Sequence, residues 1–246
     1  MIVTPLKTDI VYPAQQTVLH FLDRNLPRFP ERSILAISAK IISLYEGRVV
    51  DLSKDKESLI EEEADYFLPK EFRRFGASGT IIHHAFIGAA GIDESNAAGK
   101  YVLLPKDPRQ TADIIYHSLR KRFTLKQMGI LITDSHSTPM RRGASGIAIA
   151  YRGFIGLRDY RGRPDLFGRK LTMEQANITD ALACAAVLTM GEGDEQTPLA
   201  LIEDIPNITF DETAPTKEEL SRFFVDLKDD IFSPLIDFQH LKKTRG

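Results

Sequence analysis

The sequence is poor in cysteine, in charge of one sign and in long apolar runs, and each shortage removes a class of protein. Cys184 stands alone, so no disulfide framework can staple the chain. It lies within "ALACAAVL", an apolar helical context that argues for a small core residue in a reducing compartment rather than a thiolate nucleophile. The 32 basic and 34 acidic side chains leave a formal net charge of −2. That is too weak a field to hold a polyanion by counterion release, and no nucleic-acid partner is expected. No segment reaches the ~18 apolar residues needed to span a bilayer, and "MIVTPLKTDIVYP" lacks the basic and apolar regions of a leader, so a cytoplasmic protein with no membrane association is expected. Missing too are a repeat of twenty to fifty residues, a Walker-type glycine-lysine loop, a dinucleotide glycine fingerprint and an HExxH pair. A nucleotide, if bound, is held by another device.

What is present is an ordinary globular composition, 43% hydrophobic and 27% charged, in a length that removes about 70–75% of the unfolded surface on folding. "SILAIS" reads as a strand running into a helix "AKIISLYEGR" that Gly47 would end. Ser53 to Tyr66 reads as a charged surface helix whose acidic run is a solvated face. "GTIIHHAFIG" and "YVLLP" are β-rich runs separated by the turn "DESNAAGK", with His83 and His84 on opposite sides of the first. A helix over Asp107 to Phe123 opens with Asp-Pro and carries Ile114, Ile115 and Leu119 on one face. Strands "MGILIT" and "GIAIAYRGFIGL" follow, then the charged loop "RDYRGRPDLFGRK". Thr172 and Gln175 have capping-box spacing for a helix through Ile178, Ala181, Leu182, Ala185 and Leu188 to Gly191. "PLALIEDI" is a core strand and Lys217 to Phe232 a terminal helix. The irregular order predicts an α+β fold with mixed or antiparallel sheets and helices, in which any second subdomain is interleaved with the first.

Three oxygen-donor clusters sit where strands or helices end. In "GILITDSHSTPMRRG", Asp134 and Ser135 are hard ligands of the kind magnesium or manganese takes when it also holds phosphate. The plainer alternative is a turn in which Asp134 caps and Ser135 bonds its own backbone. Arg141 and Arg142 can bind phosphate or a substrate carboxylate, or pair with surface acids. "GIDESNAAGK" places Asp93, Glu94 and Asn96 in what could be an ordinary hairpin loop. "MGEGDEQTP" places Glu192, Asp194 and Glu195 beyond a helix C-terminus, where acid opposes the macrodipole and needs a cation nearby. The turn Ser38-Ala39-Lys40 brings a lysine and backbone amides to a strand-to-helix junction that could meet phosphate, although core packing with an exposed lysine explains it as well.

The order of these blocks resembles the γ-glutamyl ligase family that extends the tail of the deazaflavin coenzyme F-420. The blocks are "TPLK", "SAKIISLYEGRVVDL", "AGIDESNAAGKYVLLPKDP", "ITDSHSTPMRRG", "IAIAYRGF", "LRDYRGRPDLFGRKL" and "TDALACAAVLTMGEGDEQTPLALI". The resemblance implies a ligase-like domain over 1–205, of two interleaved subdomains, and a C-terminal extension with a helix over 206–246. It implies GTP as substrate, with ATP as the alternative, Mg2+ or Mn2+, and potassium as a further candidate ion. An acceptor carboxylate would become an acyl phosphate that L-glutamate then attacks. By the same resemblance Asp93 and Asp134 would hold one metal, and Ser135 and Glu192 a second. Nucleotide contacts would come from Asn96, from Pro5, Leu6, Lys7 and Thr8, from Ser38, Ala39 and Lys40, and from Met190, Gly191, Gly193 and Asp194. Asp134 and Arg141 are the candidate catalytic side chains, and a homodimer is implied. Where the family reads Ser-Lys before Ala-Glu-Gly, this chain has Ser43-Leu44 before Tyr45. Where the family has Asp-Thr-Phe-Gly-Arg-Pro, it has Asp134-Ser135-His136-Ser137-Thr138-Pro139. These departures leave a folate or other acceptor, and a catalytically silent nucleotide-binding or scaffold protein, as alternatives; the same carboxylates would also serve a metal-dependent nucleotide phosphohydrolase.

Overall fold

The run Ser33–Ser38 has no polar alternation because both of its faces are covered. The computed structural model, which describes residues 1–13, 16–73, 78–233 and 240–244, gives it helices on either side. In chain order the first elements are β1 (Ile2–Leu6), α1 (Val18–Asn25), β2 (Ser33–Ser38), α2 (Ala39–Tyr45), β3 (Val49–Asp51) and α3 (Lys56–Glu63). Next come β4 (Tyr66–Phe67), β5 (Gly79–Ile82), β6 (Ala85–Gly88), β7 (Lys100–Val102), α4 (Pro108–Phe123), β8 (Met128–Ser137) and β9 (Ala144–Arg152). The last are β10 (Leu157–Asp159), β11 (Gln175–Asn177), α5 (Ile178–Met190), β12 (Leu199–Glu203), α6 (Lys217–Phe223) and β13 (Lys242–Lys243).

The fold is α+β. Its main sheet has the order β1-β12-β2-β8-β9. Only β2 and β8 run parallel; the other neighbours are antiparallel. Leu35 and Ile37 of β2 join Ile115 and Leu119 of α4 in one core, while Ile34 and Ala36 meet Leu182, Ala183 and Ala186 of α5 in the other. A strand buried on both faces loses the alternation that otherwise marks it. At the sheet's edge β1 carries Pro5, which an edge strand tolerates because one side of its backbone needs no ladder partner. Residues 49–102 supply most of two smaller sheets, β3 with β7, and β4, β5 and β6 with β13 at the far edge, while β10 and β11 form a third.

Several elements depart from the expectations above. "GTIIHHAFIG" is itself a hairpin, and His83 and His84 form its turn at φ 53° and 60° rather than lying on a strand. Strand β7 pairs with β3 and not with its chain neighbour β6. In α4, capped by Asp107 accepting from the Gln110 amide at 3.0 Å, Ile115 and Leu119 are buried but Ile114 is 51% exposed. Helix α5 begins at Ile178 under an Asn177 cap that accepts from the Asp180 amide. Thr172 caps nothing: the Glu174 carboxylate takes the Thr172 and Met173 amides, and Gln175 sits in β11. Leu188 and Cys184 of α5 face outward, so Cys184 is not a core residue. The helix is apolar on almost every side, and the side chosen is set by Gly146 of β9, where a Cβ would stand 2.3 Å from the Ala183 carbonyl oxygen. Only glycine allows that approach.

Beyond β12 the chain returns along the sheet. Arg152, almost fully buried, donates to the carbonyls of Glu212 and Thr213 at 2.8 Å each and to Asp113 at 2.7 Å. Helix α6 stops at Phe223, well short of the expected Phe232, and Phe224 stacks on His84 at 4.5 Å between centroids. Residues 234–239 and 245–246 of this extension lie outside the described residues.

Candidate functional site

Strand β8 explains why a buried run ends in oxygen donors. From Met128 to Thr133 it is held by β2 on one side, and by β9 on the other from Ile130 onward; β2 then turns off into α2 at Ser38. From Asp134 to Ser137 only β9 remains. The abandoned edge faces a cleft of about 780 Å³. Lys40 in the first turn of α2, the loop after β6 and the loop after α5 close the same cleft.

The distant clusters meet there. Asp93, Asp134, Ser135 and Glu192 all line the cleft, as do Thr8, Ser38, Lys40 and Asn96. Met190, Gly191, Gly193 and Asp194 form the wall after α5. Lys40 Nζ stands 2.5 Å from Asp93 Oδ2 and donates to the Ser95 carbonyl at 3.1 Å. The Ser95 amide and hydroxyl donate to the Asp93 carboxylate at 2.8 and 2.9 Å. Ser135 Oγ donates to Glu192 Oε1 at 2.7 Å, and Asn96 Nδ2 to the Gly193 carbonyl at 2.8 Å, tying the two loops together. Thr8 joins through its amide, which donates to Gln196 O at 2.9 Å.

Burial pushes the Asp134 carboxyl up to about 7, and the neighbouring Asp93 and Glu192 carboxylates add to the shift; the Ser135 amide and Lys40 pull the other way without cancelling it. Burial would also raise Asp93, but Lys40 and the Ser95 donors hold it below its ordinary value. Lys40 is thus taken up by Asp93, and a further cation in the cleft would favour the ionised form of Asp134. The donor set of carboxylates and a hydroxyl is the oxygen-only kind that magnesium or manganese takes. Among the described residues no three His, Cys, Asp or Glu side chains already stand as a ligand set.

Five of the residues expected from the resemblance fall outside the lining, as do Glu94 and Arg142: Pro5 and Leu6 lie in edge strand β1, Lys7 follows it, Ala39 is buried, and Arg141 is exposed on the hairpin between β8 and β9, its guanidinium donating to Met140 O. The structure adds residues that sequence reasoning did not single out. Ser95 was legible in principle, since an Asp-x-Ser turn after an apolar strand is a common local hydrogen-bonding unit. Ile10, Val11, Tyr12, Ile41, Leu44 and Ile87 line the cleft as well. Their apolar surface carries no signal before the fold brings it together.

The family described as F420-0:Gamma-glutamyl ligase matches residues 6–204. The chain belongs to this family. Coenzyme F420:L-glutamate ligase of Methanocaldococcus jannaschii is 35% identical over 74% of this chain and 80% of its own. The protein of that description from Methanopyrus kandleri is 39% identical over 78% and 79%, and one from Methanococcus maripaludis 33% over 87% and 85%. All the lining residues discussed lie within the stretch matched to the γ-glutamyl ligase family, whereas the extension past residue 204 does not.

Proposed function

We propose that this chain joins L-glutamate to an acceptor carboxylate at the expense of GTP, through an acyl phosphate. The observation that carries the reading is the meeting of Asp93, Asp134, Ser135 and Glu192 beside Lys40 in one cleft, in a chain of the γ-glutamyl ligase family. Asp93 and Asp134 would hold one divalent ion, Ser135 and Glu192 a second. Such ions offset the negative charge of a triphosphate and of the phosphoryl group in transfer.

The chain's own groups supply the rest. Lys40 provides the cleft's ammonium for a phosphate oxygen, and Asn96 holds the two loops that flank the nucleotide. The apolar surface of Ile10, Ile41 and Leu44 in the same cleft suits a base or an acceptor ring. The acceptor carboxylate attacks the γ-phosphorus, GDP leaves, and the glutamate amine then displaces phosphate to form the amide. Rigid donors placed before the reaction are what lowers such a barrier. A homodimer is part of the proposal. It is supported by exposed apolar side chains that a partner would cover, Leu188 of α5 at 84% and Leu166 and Phe167 of the β10–β11 loop at 97% and 95%.

The test is a mass-spectrometric screen of candidate acceptors, coenzyme F-420 precursors and folates among them, with GTP, L-glutamate and Mn2+. A gain of one glutamyl unit with matching phosphate release is expected. Nucleotide hydrolysis that ignores glutamate would replace this reading with a phosphohydrolase.

A further inference from the structure

The carboxylate of Asp93 reaches the cleft over an unusual piece of backbone. Ala89, Ala90 and Gly91 stand in succession at φ 53°, 52° and 69°. Glycine takes this left-handed conformation freely, but two alanines are disfavoured there and stay only where their surroundings hold them. Gly91 could not be otherwise, because a Cβ would lie 2.6 Å from Leu104 Cγ.

The surroundings are specific. Ala90 is fully buried, and its amide donates at 2.8 Å to Oγ1 of Thr80, itself fully buried in β5. The Thr80 hydroxyl donates in turn to the carbonyl of Ile87, its cross-strand partner. The Ala89 amide donates to Ser78 O at 2.8 Å and the Ile92 amide to Ala89 O at 2.9 Å. One residue on, Asp93 exchanges backbone hydrogen bonds with Val102 at 3.0 and 2.8 Å. Within this turn Thr80 is the side chain that accepts from a left-handed residue, and it also joins the turn to the strand entering it.

We infer that Thr80 is a positioning residue for Asp93: its hydroxyl pins the left-handed turn that aims this carboxylate at the metal-binding end of the cleft. The inference rests on the metal-dependent reading above. Replacing Thr80 by valine keeps shape and volume and leaves the backbone ladder to Ile87 in place, but it buries the Ala90 N–H without a partner, which drives the turn to relax. Serine retains the hydroxyl.

The experiment is Mn2+ titration of the full-length protein followed by electron paramagnetic resonance, on wild type, Thr80→Val and Thr80→Ser, with hydrogen exchange of residues 89–93 read in parallel. Thr80→Val is expected to weaken Mn2+ binding about 10-fold, the size of effect that loss of a support behind a metal ligand produces, and to speed exchange in the turn. Thr80→Ser should match wild type. In turnover the Val variant should need more Mn2+ while reaching a kcat near that of wild type at saturation. Wild-type Mn2+ affinity in Thr80→Val overturns the proposal, and so does an equal loss in Thr80→Ser, which would assign the effect to the methyl group. If Thr80→Val does not fold, Thr80→Cys, of similar size and a weaker acceptor, is read by the same criteria. A wild-type protein that binds no Mn2+ sinks the site reading and this proposal together, whereas a wild type that binds beside an unaffected variant sinks the proposal alone.

Discussion

At the scale of the residue, Asp134 shows a conflict between stability and charge. Its carboxyl titrates near 7 in the fold against an ordinary 3.8. Below pH ~4 the group is protonated in both states and costs nothing; between about pH 4 and 7 the unfolded chain has released a proton that the fold still holds, so stability falls across that window and levels off above it. The ceiling on that loss is about 4 kcal/mol. In metal-free buffer Asp134→Asn is therefore expected to melt above wild type at pH 8 and level with it near pH 4, which thermal scans at the two pH values would check. Turnover should drop by on the order of 100-fold or more, since even an outer contact of a metal is worth 10- to 100-fold. An active Asn variant would remove Asp134 from the site. The acidic donors could be read in the sequence because carboxylates at the ends of apolar runs have few reasons to be there. Lys40 could be read beside them, and Ser95 in its Asp-x-Ser turn, but not their pairing, nor Thr80, because those contacts run between residues far along the chain or across a hairpin.

At the scale of the element, legibility followed burial. Strand β2 matched its expected bounds because an apolar run from Ile34 to Ile37, covered on both faces and flanked by serines, admits little else, and α4 was announced by Asp107-Pro108. Strand β1 escaped because its edge position leaves it half exposed and admits a proline. The β5–β6 turn escaped because it uses two histidines where the left-handed conformation favours Gly, Asn or Asp. In α5 the outward face was misread for want of polar residues, and Gly146 fixed what periodicity left open. Gly146→Ala would push α5 off the sheet and carry Glu192 with it. A loss of about 1–3 kcal/mol in urea denaturation is expected from the overpacking, together with a fall in turnover that a stability loss elsewhere would not cause. Asn177→Ala at the other end of the helix offers that control: about 1 kcal/mol lost with the cap, and turnover at a permissive temperature unchanged.

At the scale of the whole molecule, the extension past residue 204 is tied to the main sheet and to the sheet of β4, β5 and β6. One hold on the main sheet is Arg152, 4% exposed, with two carbonyls and Asp113 as partners. Arg152→Met leaves those acceptors without a donor, and since Asp113 keeps access to water the cost should be roughly 2–3 kcal/mol. Limited proteolysis should then cut within 211–233 sooner than in wild type. The proposed dimer is tested by Leu188→Glu, expected to shift the sedimenting species from dimer to monomer with the far-ultraviolet circular dichroism unchanged. None of this architecture was visible in the sequence, because two lysines do not announce a strand and an arginine does not name the carbonyls it will hold.

The pairing of Lys242 and Lys243 with Phe67 and Tyr66 bears on synthesis. A ribosome completes β4, β5 and β6 long before it reaches residue 242, so for most of translation the outer backbone of β4 is bare. The nascent chain must keep that row of donors and acceptors from pairing with a neighbour on the same messenger until its own closing residues emerge.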